Sequence, residues 1–247
     1  MTPSTTRPRG LLLDLGHTLV RWEVEEAVLR ATYREAHDLL LVAEGAPPPP
    51  EDAVWRLVQH VLAQIHTAAE RGVLEEQDHY QLWMAALAAE GYALPAERVR
   101  LLVEREHRAF VRHLRVAPAT LDALAALRRG GYRLALVSNV TVPGPLMRAT
   151  VAELGLAPYF DALVFSSDLG VRKPHPVIYQ HALAALELAP AEAVFVGDRV
   201  REDIQGPQAL GLRAVLCREH RQEPLGAVRP DGIVERFADL PALLARW

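Results

Sequence analysis

Residues 119–139 read ATLDALAALRRGGYRLALVSN, and this stretch decides the fold class. Its first half predicts an amphipathic helix, Ala119–Arg129, that ends at a Gly-Gly pair. Its second half predicts a short apolar strand, Arg133–Val137, which ends at the polar pair Ser138 and Asn139. A helix that leads directly into a short apolar strand is the repeating unit of a parallel sheet covered by helices.

The same alternation continues on both sides of this stretch. Further helices are predicted near Pro145–Leu154, Val177–Leu186 and Ile204–Leu210. Further strands are predicted at Gly10–Asp14, Ala162–Phe165, Ala193–Val196 and Ala214–Leu216. The sequence therefore predicts an α/β fold with a doubly wound, Rossmann-like parallel sheet as its core.

A long helical region interrupts this pattern directly after the first strand. Apolar residues recur at helical spacing between residues 22 and 114, and four helices without a strand are predicted there. We expect a discontinuous core, residues 1–19 and 115–247, and an all-helical cap domain, residues 20–114. Residues 1–9 are expected to be disordered, and the prolines at 47–50 are expected to form a stiff connector.

Composition excludes several classes of function. The 247 residues carry a net charge of −4 with mixed signs, which gives no basic footprint for nucleic acid. The apolar run Leu11–Leu15 is too short for a signal peptide or a membrane span. The single cysteine, Cys217, excludes a disulfide within the chain and favours a reducing compartment. We expect a cytoplasmic protein that is a monomer or a homodimer.

Polar residues follow the predicted strands at the edge where such sheets bind ligands. They are Asp14, Ser138, Asn139, Asp198 and Asp203, with Lys173 in a short loop after the third predicted strand, Ala162–Phe165. Lys173 is the only lysine in the chain. Clustered carboxylates repel unless a cation lies among them, and an all-oxygen set suits Mg²⁺. A magnesium ion and Lys173 together would neutralise a phosphoryl group, leaving one carboxylate free to attack phosphorus.

Four segments in this order resemble the motifs of the haloacid dehalogenase-like hydrolase superfamily. They are Asp14–Leu19, Ser138-Asn139, Lys173 within Lys-Pro-His-Pro, and Gly197–Asp203. The helical region between the first and second motifs resembles the alpha-helical cap of that superfamily. Each motif alone is weak, whereas four in the right order at predicted strand ends are a strong signal.

The resemblance implies a role for each matching residue. It implies that Asp14 is the nucleophile and a metal ligand, that Ser138 and Lys173 hold phosphoryl oxygens, and that Asn139 lies near the substrate. Further metal contacts would come from Asp198 and Asp203. A main-chain carbonyl, here that of Gly16, also contacts the metal in this superfamily.

The sequence departs from the superfamily at Gly16. Phosphatases of this type carry a second aspartate there, which protonates the leaving oxygen and then activates water. His17 is one substitute and a possible substrate contact, although neighbouring side chains usually diverge. Histidines of the cap region are others, namely His60, His66, His79 and His107. Trp22, Arg56 and Tyr80 are candidate substrate contacts for which packing or solvent exposure is the alternative.

These residues support one main function and two alternatives. The main one is a Mg²⁺-dependent phosphohydrolase that acts on a small phosphorylated metabolite through an aspartyl-phosphate intermediate. The first alternative is a weak or silent member that binds phosphate for regulation, because the second aspartate is missing. The second is a 2-haloacid dehalogenase, a metal-free activity that would leave Asp198 and Asp203 without a purpose. The sequence identifies neither the substrate nor the specificity residues of the cap.

Overall fold

The structure is a computed structural model, and it describes residues 7–40 and 49–247. Its centre is one six-stranded sheet with the strand order β3-β2-β1-β4-β5-β6, and every neighbouring pair is parallel. The strands are β1 Gly10–Leu13, β2 Arg133–Ser138, β3 Ala162–Phe165, β4 Ala193–Gly197, β5 Arg213–Cys217 and β6 Gly232–Val234. The predicted doubly wound parallel sheet is therefore confirmed.

Apolar packing covers both faces of the sheet. Successive side chains of a strand point to opposite faces, so in β1 Leu11 and Leu13 pack on one side and Leu12 on the other. The first side includes Leu124, and the second includes Ile178. All four residues of β1 are buried, which explains why the strand is continuously apolar. The carboxylate of Asp14 follows directly after it.

The helices of the alternating region lie close to where the sequence predicts them. The predicted ones are α5 Pro118–Arg129, α6 Gly144–Glu153, α8 Pro176–Ala185 and α9 Gly206–Ala209, and the short helices α7 Ser166–Leu169 and α10 Leu240–Leu244 are additional. The helix expected at Ile204–Leu210 is wrong in its first part, where a π-helical turn spans Val200–Gln205. Pro207 has no backbone N–H to donate, so a regular α-helix cannot run through this position. The strand β6 and the helix α10 are not predicted at all.

Residues 26–111, which we call the helical segment, contain four α-helices in their described part. They are α1 Glu26–Tyr33, α2 Ala53–Glu70, α3 His79–Ala89 and α4 Ala96–Val111, with a 3₁₀ helix at Arg34–Leu40. Their apolar faces form a cluster of their own around the fully buried Trp83. The described residues here form a single isolated bridge, between Glu75 and Val171, and no β-strand. The prediction of four helices without a strand is therefore confirmed for this part of the chain.

The expectations for the N-terminal residues 1–9 and for the prolines at 47–50 fall only partly on described residues. Residues 1–6 and the prolines at 47 and 48 lie outside the described residues. Arg9 is not disordered, because its N–H donates to the carbonyl of Glu192 at 2.7 Å and its guanidinium pairs with the Glu192 carboxylate. In the part of the chain that the structure describes, no helix has both the length and the apolar character needed to cross a membrane.

Candidate active site

One cavity of about 660 Å³ lies at the carboxyl ends of the strands. All eight site residues predicted from the sequence line it: Asp14, Gly16, His17, Ser138, Asn139, Lys173, Asp198 and Asp203. Residues of the helical segment line the same cavity from the other side. The topology explains the convergence, because parallel strands bring the residues that follow them to one edge of the sheet.

Lys173 is buried among carboxylates. Its Nζ lies 2.7 Å from Asp14 Oδ1 and 2.8 Å from Asp203 Oδ1, and its side chain is 3% exposed. The ammonium also lies 5.0 Å from the centre of the Phe195 ring. Burial alone would lower the pKa of Lys173, but Asp14 and Asp203 raise it above its ordinary value. The lysine is therefore a fixed positive charge beside the predicted nucleophile.

Asp203 holds the loop after β4 as well as the lysine. Its Oδ2 accepts the backbone N–H groups of Asp198 at 3.0 Å and Arg199 at 2.9 Å. The carboxylate comes so close to the end of β4 that a Cβ built on Gly197 would lie 2.3 Å from it. A glycine is required at 197 for this approach. Asp203 thus orients both Lys173 and Asp198.

Asp198 has a partner that the sequence did not reveal. Arg221 donates from Nε to Asp198 Oδ2 at 2.5 Å, and the Asp198 side chain is 3% exposed. Arg221 follows β5, so the rule that places ligands after strand ends also applies to it, four residues beyond Cys217. The position of Arg221 after a strand could have identified it from the sequence, but Arg221 lies further from the end of its strand than Asp14, Ser138 and Asp198 lie from theirs. The arginine fixes Oδ2 of Asp198, a residue that lines the cavity.

Asn139 positions the lysine through the main chain. Its Nδ2 donates to the Lys173 carbonyl at 3.0 Å, and its Oδ1 accepts the Lys173 N–H at 2.7 Å. Both polar groups of the amide are thus engaged with the backbone of one residue. Ser138, at the end of β2, is buried at 4% exposure and lines the cavity beside the strand that carries Asp14.

A second buried contact joins the helical segment to these loops. Glu76 Oε2 accepts a hydrogen bond from Ser166 Oγ at 2.5 Å, and Ser166 Oγ accepts the N–H of Val140 at 2.8 Å. The Glu76 carboxylate also lies 3.6 Å from Arg172, directly before Lys173. The sequence gives no sign of this contact, because it joins residues 90 positions apart.

The three aspartates fit a divalent metal ion. One carboxylate oxygen from each of Asp14, Asp198 and Asp203 lies within 4.8 Å of the others, and all three residues are buried. Among the described residues, hydrogen bonds engage only Oδ1 of Asp14 and only Oδ2 of Asp198, whereas both oxygens of Asp203 accept hydrogen bonds. One oxygen of Asp14 and one of Asp198 therefore remain for a metal or a substrate. An all-oxygen set of this size suits Mg²⁺.

The pKa shifts of the Asp14 and Asp198 carboxyl groups also indicate that a cation would stabilise this site. Burial raises the pKa of the Asp14 carboxyl to about 7; Asp203 and Asp198 add to the rise, and Lys173 opposes it. Burial and Asp203 also raise the pKa of Asp198, against the guanidinium of Arg221. Three crowded carboxylates are thus only partly compensated by one lysine and one arginine.

The residues that follow Asp14 form a tight turn beside Trp22. His17 has a φ of 59°, and its N–H donates to the Val20 carbonyl at 2.7 Å. The His17 ring lies 4.1 Å from the Trp22 ring, measured between centroids. Burial lowers the pKa of His17, and Arg221 adds to the effect. A neutral imidazole at pH 7 can accept a proton but is poorly suited to donate one.

The other candidate acid–base and substrate residues separate into two groups. His66, His107 and Trp22 line the cavity, whereas His60, His79, Arg56 and Tyr80 do not. His79 and His107 are not solvated helix residues, because both are buried and bonded to threonines. Arg56 pairs with Glu90 at 3.1 Å, and Tyr80 packs on the core of the helical segment.

Comparison with known proteins places the chain in a family. The family model described as haloacid dehalogenase-like hydrolase matches residues 8–211. A phosphoglycolate phosphatase of Pectobacterium atrosepticum is 36% identical over 50% of this chain and 52% of its own length. A phosphoserine phosphatase of Thermus thermophilus is 40% identical over 48% and 47%. The chain thus spans about half the length of these two curated relatives.

Longer matches are more distant. A glyceraldehyde 3-phosphate phosphatase of Methanopyrus kandleri is 27% identical over 77% of each chain. Among solved structures, a HAD phosphatase of Thermococcus onnurineus has a TM-score of 0.65 at 23% identity, covering 96% of this chain and 97% of its own. A 2-haloacid dehalogenase of Pseudomonas syringae has a TM-score of 0.67 at 22% identity, covering 97% and 99%. At these identities the structural matches show the fold.

Proposed function

The chain belongs to the haloacid dehalogenase-like hydrolase family, and from that premise we propose that it is a Mg²⁺-dependent phosphohydrolase acting on a small phosphorylated metabolite. The observation that carries the proposal is the buried set of Asp14, Lys173, Asp198 and Asp203 at the end of one cavity. The curated relatives with phosphatase names support the same class of reaction.

The first half-reaction transfers the phosphoryl group to Asp14. Oδ2 of Asp14, which Lys173 leaves unengaged, forms a bond to phosphorus as the bond to the leaving oxygen breaks. The leaving oxygen departs with the electron pair of that bond. In the second half-reaction, water attacks the aspartyl-phosphate, releasing inorganic phosphate and the Asp14 carboxylate. Lys173 stabilises the negative charge on the phosphoryl oxygens in both halves.

The metal site of this proposal uses residues already in place. Asp14, Asp198 and the carbonyl of Gly16 would hold Mg²⁺, with Asp203 as a further ligand or as the residue that orients Asp198 and Lys173. When bound, Mg²⁺ neutralises charge on the phosphoryl group. Ser138 would donate its hydroxyl to a phosphoryl oxygen, and Asn139 would keep the Lys173 backbone in position.

Gly16 gives this site its particular chemistry. It cannot protonate the leaving oxygen or activate water, and the neutral ring of His17 is a poor proton donor. The leaving oxygen must therefore depart unprotonated or take a proton from water. Loss of a general acid or base typically costs about 10²–10⁴ in rate. Catalysis would continue but would depend on the leaving group, and breakdown of the aspartyl-phosphate would become slow.

The proposal includes the division of the chain into two domains. A core of residues 1–19 and 115–247 would carry the chemistry, and a cap of residues 20–114 would cover it. Two features support this division. The helical segment has an apolar cluster of its own. The backbone of Arg21 pairs with that of Arg115, at 3.0 and 2.9 Å, where the chain leaves the proposed core and returns to it. A cytoplasmic setting is consistent with the free, buried Cys217.

A phosphorylated-metabolite panel with and without Mg²⁺ tests the proposal. We expect Mg²⁺-dependent release of inorganic phosphate by the wild type and none by Asp14→Asn. Binding of phosphate compounds without any release would favour the silent regulatory member. Halide release from a 2-haloacid in excess chelator would favour the dehalogenase.

A further inference from the structure

Two sets of side chains dominate the lining of the cavity. One is the charged set of Lys173 and the aspartates described above. The other, which we call the apolar end, consists of Trp22, Phe110, Leu114, Val142 and Met147, which belong to one apolar cluster, together with Ile65. Polar side chains of His66, Glu70, His107 and Thr150 line the cavity as well. The helical segment contributes Ile65 and Phe110 to it. A cavity of this kind accepts a molecule with an anionic head and an apolar body.

Trp22 lies beside Gly16, the position where the family's phosphatases carry their general acid. A Cβ built on Gly16 would meet Trp22 Cη2 at 3.4 Å and Cζ3 at 3.6 Å. The indole contacts two rings, that of His17 at 4.1 Å and that of Phe110 at 5.9 Å, both measured between centroids. An aromatic side chain, and no carboxyl group, thus lies next to position 16.

The indole of Trp22 at this position favours one class of leaving group. It offers no proton, so the leaving oxygen must be a weak base. It offers an apolar surface next to that oxygen, so the atoms attached to the oxygen should be apolar and preferably flat. Aromatic rings pack on indole with a gain beyond simple burial. A phenolic or enolic ring system meets both conditions, whereas an alkyl or a highly hydroxylated leaving group meets neither.

Resting on the proposed function, we propose that the substrate is an aryl phosphate whose ring lies against Trp22 in the apolar end of the cavity. The Asp14 carboxylate forms the O–P bond, the aryl O–P bond breaks, and the electron pair leaves with the aryloxide. The aryloxide then takes a proton from water. Trp22 selects the substrate by binding its ring and takes no part in proton transfer.

Four substrates separate ring recognition from leaving-group chemistry. The ester 4-nitrophenyl phosphate, which carries a ring, and the acyl phosphate acetyl phosphate, which carries none, both have good leaving groups. Benzyl phosphate, which carries a ring, and ethyl phosphate, which carries none, both have poor leaving groups. We expect the nitrophenyl ester to bind more tightly than acetyl phosphate, with a KM lower by about tenfold or more, which corresponds to burial of one ring. Both alkyl phosphates should have low kcat.

Substitution of Trp22 gives the decisive comparison. Trp22→Leu should raise the KM for the nitrophenyl ester about tenfold more than it raises the KM for acetyl phosphate, and Trp22→Phe should restore most of that difference. Trp55→Leu is the matched control, because Trp55 belongs to the helical segment and lies off the cavity. Equal losses for both substrates in Trp22→Leu, or none for either, would overturn the proposal.

If Trp22→Leu fails to fold, inhibition of the wild type gives a second test. Phenylphosphonate should inhibit at least about tenfold more tightly than methylphosphonate, and equal inhibition would overturn the proposal. The proposed function fails in a different way. In that case neither acetyl phosphate nor the nitrophenyl ester is hydrolysed with Mg²⁺, or Asp14→Asn hydrolyses them as well as the wild type.

Discussion

Trp22 lies over Gly16 at a distance that would still allow a side chain, since a Cβ on the glycine would be 3.4 Å from the indole edge. That distance is an ordinary van der Waals contact, and Gly16 is not among the glycines with positive φ. We therefore expect Gly16→Asp to fold and to supply the missing acid. Its kcat/KM for alkyl phosphates should rise by about 10²-fold or more, while aryl phosphates gain little.

The slope of log kcat/KM against leaving-group pKa measures this effect. We expect a steep slope in the wild type and a shallower one in Gly16→Asp. The matched control is Gly16→Ala, which adds the Cβ without a carboxyl group and should keep the steep slope. A flat slope in the wild type would show that another residue already donates the proton.

Lys173→Arg should lose about 10²-fold or more in kcat/KM although the charge is kept. The space around Nζ is set by carboxylates at 2.7 and 2.8 Å and by the Phe195 ring, and a planar guanidinium does not fit it. Steady-state kinetics check the loss, and circular dichroism checks the fold. Arg148→Lys, at an exposed ion pair with Asp168, is the control and should be neutral. Unchanged activity of Lys173→Arg would contradict the role given to the ammonium.

Asp198→Ala should weaken metal binding. Mg²⁺ that binds the folded state raises the unfolding temperature by mass action, so the wild type should show a Mg²⁺-dependent rise in Tm and Asp198→Ala should not. The readout does not depend on turnover. The control is Asp239→Ala, at an exposed pair with Arg236, which should keep the Mg²⁺ response. An unchanged response in Asp198→Ala would argue against a metal ligand at this position.

Two buried histidines each contribute a loss of stability in mild acid. Burial lowers the pKa of His79 and of His107 to about 4, below the ordinary value of about 6.5 that applies to the unfolded chain. Between these values an unfolded histidine binds more protons than a folded one, so the histidine contribution to the free energy of unfolding is complete above about pH 6.5 and declines by up to about 1.4 kcal/mol per pH unit and histidine toward pH 4. Burial raises the pKa of Asp14 and of Glu106 to about 7, which acts in the opposite direction over the same range, so the test is the difference in slope between a histidine variant and the wild type.

Urea unfolding at pH 7, 6 and 5 measures this decline. His107→Gln should flatten the slope by about half of the histidine contribution, whatever its effect at pH 7. His66→Gln, at an exposed position of α2, is the control and should keep the wild-type slope. An identical pH slope in His107→Gln and the wild type would show that His107 is protonated as readily in the folded as in the unfolded state.

The sequence was sufficient to predict the sheet and the polar residues at its edge. Short apolar runs mark strands, and parallel strands bring the residues that follow them together, so Asp14, Ser138 and Asp198 could be grouped without coordinates. The strand β6 was missed because its three residues carry too little pattern. The π-helical turn was missed because it differs from an α-helix only in hydrogen bonding.

Contacts between distant segments could not be predicted. Arg221 reaches Asp198 across 23 positions, and Glu76 reaches Ser166 across 90. The contact of Trp22 with Gly16 depends on how the turn after β1 folds back, which no periodicity records. These pairs depend on tertiary packing, whereas the strand-end residues depend on local pattern and topology alone.

Asp14 is the proposed acceptor of the phosphoryl group. Because Gly16 offers no carboxylate to activate water, the aspartyl-phosphate should accumulate during turnover of a good substrate. Acid quenching within the first turnovers, followed by mass spectrometry of the peptide that contains Asp14, detects this intermediate. We predict a phosphoryl group on Asp14 that appears with burst kinetics and is absent in Asp14→Asn. Steady turnover with no phosphorylated Asp14 at any time point would contradict this prediction.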